Sequence, residues 1–155
     1  MRFKRYFFAR VDFFLAENMN LNPKHPMADL VTKTGSKTGF HVEHILSWNA
    51  ENEKLFDNDE ERFEQERNRL GGILLLKGKD NISSNNEPYE EKLKSYANTL
   101  YWNETLREDS YKSKLDMNAL RKRHDLDLKA FNQFGPEEVE QRHRLLFELT
   151  RLLWA

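Results

Sequence analysis

Between Phe3 and Asn18 apolar residues recur at helical spacing through Phe3, Phe7, Val11 and Phe14, with Arg5, Arg10, Asp12 and Glu17 between them. That spacing predicts a first amphipathic helix whose aromatic stripe faces the core. Asn18 to Phe40 is punctuated by Asn-Pro, His-Pro, Gly-Ser and Thr-Gly pairs and reads as a loop. Phe40 to Leu46, β-branched and aromatic, predicts a short strand. The charged run Asp59 to Arg67, with Phe63 alone apolar in its middle, predicts an exposed helix. Ile73 to Leu76 is continuously apolar between Gly72 and Gly78, as a buried second strand would be. Pro88 suits the first turn of a helix carrying Tyr89, Leu93 and Tyr96, with Leu100 one turn further on. Helices with an irregular connection follow to Phe134. Gly135-Pro136 then opens a last helix with Val139, Leu146, Leu149 and Leu153 as its stripe and Glu137, Glu138 and Glu140 at its positive end. The whole pattern is α+β and mostly helical, amphipathic helices surrounding a small antiparallel hairpin.

A chain of 155 residues suits one domain, 1–155. Charged residues make up 33% of it against 38% hydrophobic, so much of the helix surface must face water. With 25 basic and 26 acidic residues and a net charge of −1, no global positive field draws the chain to nucleic acid; any such site is local. The absence of cysteine excludes disulfides, thiolate zinc sites and a cysteine nucleophile. No run is long enough to span a membrane, and the start lacks a signal-peptide core, so a soluble cytoplasmic protein is expected. Met1 leads almost directly into a helical pattern, as at a start placed at a domain boundary, so the chain is expected to be a fragment of a larger protein. Thr34-Gly-Ser-Lys-Thr-Gly39 lacks the glycine spacing, the Gly-Lys pair and the preceding strand of a nucleotide-binding loop, which leaves Lys33 and Lys37 only as phosphate contacts.

The chemistry concentrates between His41 and Asn81. In His41-Val-Glu-His44 a carboxylate, a hard ligand for a divalent cation, stands beside an imidazole that titrates near neutrality. In a regular strand Glu43 and His44 point to opposite faces, so both reach one site only where the strand ends or twists sharply. If the strands pair antiparallel and the next helix packs across them, Asn81 returns to Glu43. Its amide oxygen then completes a shell for Mg2+ or Mn2+. This ββα-metal arrangement, covering about residues 39–97, suits phosphodiester hydrolysis. His44 takes a proton from water, and a cation on Glu43 and Asn81 stabilises the phosphorane and the leaving oxygen. Lys77, Lys79 and Arg69 are expected phosphate contacts.

Several of these segments together resemble a known family. They are the His41-Val-Glu-His-Ile-Leu46 box, the strand Arg-Leu-Gly-x-x-x-Leu-Leu ending at Leu76, Asn81 after it, and Lys92 and Tyr96 of Glu91-Lys-Leu-Lys-Ser-Tyr96. The closing Glu/Arg/Leu/Leu-Trp pattern from Glu137 to Trp154 completes the set. The family is the C-terminal HNH-like nuclease domain of GmrSD-type, modification-dependent restriction proteins, and the box and its spacing to Asn81 are also similar to the HNH nuclease of CRISPR effectors. The resemblance implies a DNA endonuclease domain directed at foreign, often base-modified DNA, following an N-terminal ParB-like nucleotide-binding domain. It also implies His44 as general base, Glu43 and Asn81 as metal ligands, and His41 as a neighbour that ligates or orients. Two positions depart from the pattern. Gly71-Gly72-Ile73 stands where Gly-Asn-Leu is usual, which hands support of the base to Asn68, Asn81 or Asn85, and Ser47 stands where proline is usual. The competing expectation is a catalytically degenerate module of the same fold that binds DNA or docks within its parent protein.

Overall fold

A computed structural model describes residues 2–84, 86–112 and 115–155, with the backbone alone for 82–84. Two strands, β1 (Phe40–His44) and β2 (Ile73–Lys77), pair antiparallel with Phe40 opposite Lys77, Glu43 opposite Leu74 and His44 opposite Ile73. The Ile45 N–H donates to the Gly72 carbonyl at 3.0 Å, so the ladder continues past His44. β2 is buried on both faces, in keeping with its unbroken apolar run.

Around the hairpin lie α1 (Arg2–Asn18), α2 (Met27–Thr32), α3 (Ala50–Lys54) and α4 (Glu60–Arg67), the last joined to β2 by a 3-10 turn over Leu70–Gly72. β2 runs directly into α5 (Gly78–Ser84), followed by α6 (Tyr89–Ser95), α7 (Tyr101–Glu104), α8 (Asp109–Lys112), α9 (Leu115–His124) and α10 (Pro136–Leu153). The mostly helical α+β architecture with one small antiparallel sheet is as expected. The segment 18–40 is not all loop. Its Asn-Pro and His-Pro pairs stop the chain short of Met27, but Pro26 sets an extended N-cap for α2, whose Leu30 is buried.

α1 lies across the sheet and packs on α2, α7 and α10. Its buried face is rotated from the predicted stripe. Phe7, Phe8, Val11 and Leu15 are in the core, whereas Phe3 is 69% exposed. Asp12 is also buried, because its carboxylate accepts the Trp102 N–H at 2.9 Å near the start of α7. Burial, opposed by that hydrogen bond, pushes the Asp12 pKa up to about 7. In α10 the predicted stripe is buried through Val139, Leu146 and Leu149, and Arg142 joins it by lying 3.8 Å over the Trp102 ring. No helix among the described residues is long and apolar enough to cross a membrane.

Candidate active site around His44

β1 brings His44 to the side of a cavity of about 420 Å3, which His41, Asn68, Asn81, Lys4, Arg5 and Lys33 also line. Five of the residues singled out in the sequence thus meet there: Lys33, His41, His44, Asn68 and Asn81. His41 is at the exposed rim, with Nε2 3.1 Å from the Gly35 carbonyl. Asn81 reaches the cavity from the middle of α5. Asn85 lies outside the described residues.

The contact that organises the site joins His44 Nε2 to Asn68 Oδ1 at 2.7 Å. Asn68 is the C-cap of α4, and its Nδ2 donates to the Glu64 carbonyl at 2.7 Å and to Glu64 Oε1 at 2.9 Å. With its amide nitrogen committed to two acceptors, Asn68 presents its oxygen to the imidazole. Nε2 therefore carries the proton, and Nδ1 is left as the basic nitrogen. Burial, aided by the nearby cations of Arg67 and Lys92, lowers the His44 pKa, while the Asn68 hydrogen bond works against it. A neutral imidazole at neutral pH is the form a general base requires.

Gly72 explains why Asn68 holds this position. A Cβ on Gly72 would lie 2.9 Å from the Arg67 carbonyl oxygen and 3.2 Å from that of Glu66, so the end of α4 occupies the space an asparagine would need. The same close approach of α4 carries Asn68 to the histidine. Ser47, the other departure, is buried and donates its hydroxyl to the Glu87 carbonyl at 2.9 Å, tying β1 to the lead-in of α6 by a bond proline cannot make.

Glu43 is placed differently. Because the ladder runs on past His44, the two side chains stay on opposite faces of β1. The Glu43 carboxylate is 2% exposed and is not among the described residues that line the His44 cavity. Lys92 Nζ donates to its Oε1 at 3.3 Å and to the His44 carbonyl at 2.7 Å, and the Tyr96 hydroxyl donates to its Oε2 at 3.4 Å. The Lys92 ammonium, 1% exposed, already supplies positive charge there, and a dication on the same carboxylate would meet its repulsion. Among the described residues no three His, Asp or Glu side chains are grouped to hold a metal. As folded, these donors do not fit a cation shared by Glu43 and Asn81, and no chemical step below is routed through one.

Of the expected phosphate contacts, Arg69 pairs with Glu66 at 2.9 Å and with Glu140 at 2.7 Å. Lys77 and Lys79 line a separate cavity of about 190 Å3 with His25 and Asp80. The cations that line the His44 cavity are instead Lys4 and Arg5 of α1 and Lys33 after α2. Lys33 was flagged by the sequence, but nothing in the polar face of α1 singled out Lys4 and Arg5. Trp48 stacks on Phe63 with centroids 5.0 Å apart and lies under Arg67, a packing role.

A family model matches residues 1–149: the C-terminal domain of GmrSD restriction endonucleases. No curated protein and no solved structure matches the chain.

Proposed function

The chain belongs to the family of GmrSD restriction endonuclease C-terminal domains, and from that premise we propose that it hydrolyses phosphodiester bonds of DNA with His44 as general base. The observation that carries this reading is the 2.7 Å contact between His44 Nε2 and Asn68 Oδ1, which fixes the tautomer with Nδ1 basic. In the proposed step Nδ1 takes a proton from a water whose oxygen forms the new bond to phosphorus. The phosphorus–oxygen bond to the leaving strand end breaks, and that oxygen takes up a proton from solvent. Asn68 keeps the ring in place and stabilises the imidazolium that forms. Lys92, bonded to the His44 carbonyl, fixes the backbone from behind.

Magnesium and manganese, implied by the resemblance, are varied in the test so that any dependence on a metal is read separately from the role of His44. The test is conversion of supercoiled plasmid to nicked or linear product by wild type and His44→Ala, in magnesium, in manganese and in EDTA. Cleavage by wild type and its loss in His44→Ala are expected, and equal cleavage by both refutes the base assignment. A second reading, a module that binds DNA without cutting it, is favoured by the engagement of Glu43 with Lys92 and Tyr96. It predicts no cleavage by wild type under any of these conditions. Restriction of foreign or modified DNA within a parent protein carrying a ParB-like N-terminal domain is the setting in which we place this activity.

A further inference from the structure

The chain carries a net charge of −1, so attraction for a polyanion has to come from a local cluster. Three cations line the His44 cavity: Lys4 and Arg5 from the first turn of α1, and Lys33 from the end of α2. Arg5 directs its guanidinium at main-chain oxygens, with Nε 2.7 Å from the Leu30 carbonyl and a terminal nitrogen 2.9 Å from that of Lys33 and 3.2 Å from that of Asp29. It ties the end of α2 and the following loop to α1, and its charge is not cancelled by a carboxylate in these bonds. Lys33 meets Asp29 at 3.9 Å, with both side chains at least 40% exposed, a pair weak enough to open for a competing anion. Among the described residues no ion pair involves Lys4.

From this arrangement we propose that Lys4 and Lys33 clamp backbone phosphates of the DNA strand that enters the cavity beside His44, with Arg5 as the positioning residue that holds the two lysine-bearing segments together. This rests on the nuclease reading of the same cavity. The physical basis is that compact ammonium groups on flexible stems bind phosphates without reading sequence. The loop bearing Lys33 is also held against the start of α5: the Gly78 N–H donates to the Gly39 carbonyl at 2.9 Å, and a Cβ on Gly78 would lie 1.9 Å from the Ser36 carbonyl oxygen. The lysine therefore stands on a braced segment. Arg5 grips the Lys33 carbonyl, not its side chain, so changing that side chain leaves the brace intact.

The experiment measures affinity for a short DNA duplex by fluorescence anisotropy, in a His44→Ala background, so that binding is read without cleavage. The Lys4→Gln/Lys33→Gln variant is compared with Lys54→Gln/Lys112→Gln, which removes the same charge from exposed positions elsewhere. Each phosphate contact contributes about 0.9 to the slope of log affinity against log salt, so losing two lowers the slope by about 2. Between 50 and 200 mM salt this changes the variant-to-parent affinity ratio by about tenfold. The control pair is expected to leave the slope unchanged. An unaltered slope in Lys4→Gln/Lys33→Gln, an equal loss in the control pair, or no binding by the parent overturns the assignment. Cleavage by wild type with an unaltered slope removes the clamp alone. Binding with the expected slope change but no cleavage by wild type removes hydrolysis alone.

Discussion

Replacing Asn68 by alanine removes the acceptor 2.7 Å from His44 Nε2 while leaving Nδ1, the cavity and the cations in place. A partly buried ring N–H then has no fixed partner, and the histidine is free to rotate and to exchange tautomers. Leaving such a donor unsatisfied costs about 1–3 kcal/mol. If that cost falls on the reacting geometry, the cleavage rate drops by roughly 5- to 150-fold. Asn68→Asp makes the complementary change. A carboxylate at the same distance favours the imidazolium, so the His44 pKa rises and the ascending limb of the pH–rate profile moves to higher pH. The alanine variant loses the hydrogen bond that raises the His44 pKa, so its limb moves lower. Single-turnover cleavage of a labelled duplex from about pH 5 to about pH 9 reads both effects. A rate for Asn68→Ala within about twofold of wild type across that range, or a limb that moves down in Asn68→Asp, would refute the orienting role.

Three further outcomes follow from the packing. Gly72→Asn is expected to destabilise the protein by about 1–3 kcal/mol in urea unfolding because its Cβ meets the Arg67 carbonyl; a gain in stability contradicts the steric account. Lys92→Met removes the buried ion pair between Lys92 and Glu43 and is expected to cost about 3–5 kcal/mol, with Glu43→Gln/Lys92→Met less damaged than the single change; a cost below about 1 kcal/mol for Lys92→Met argues against it. Asp12 binds its proton more tightly folded, near pH 7, than at its ordinary 3.8, so its contribution to stability is full below 3.8 and is lost as pH rises through 7. Asp12→Asn keeps the acceptor without titrating, so it gains on wild type by about 2–3 kcal/mol from pH 5 to pH 7; a pH-independent difference refutes the shift.

The parts of this fold that were legible in the sequence are those whose partners are periodic or near in the chain. β2 showed as an unbroken apolar run and α10 as a stripe with acidic residues at its start. The hairpin followed from spacing, whereas Asn81, expected to return to Glu43 on a shared cation, lines the cavity of His44. Asn68 was within reach because only a few asparagines stand near the missing one at Gly72. What escaped depends on contacts across long separations. Asp12 looked like surface because its partner, the Trp102 N–H, is 90 residues away. Lys4 and Arg5 looked like the polar face of a helix until α2 and the following loop came to rest beside them. Alternation along β1 already set Glu43 against His44, and only the ladder continuing to Ile45 decided that no twist brings them together.

The central claim is that the imidazole of His44 moves the proton. Chemical rescue tests it most directly: single-turnover cleavage by His44→Ala, measured with increasing free imidazole, which the adjoining cavity of about 420 Å3 has room to admit. The expected result is a loss of about 10²- to 10⁴-fold in the variant and a rate that climbs with the concentration of neutral imidazole. A variant that cleaves at the wild-type rate, or a deficit that imidazole leaves unchanged in a protein that still binds DNA, contradicts it.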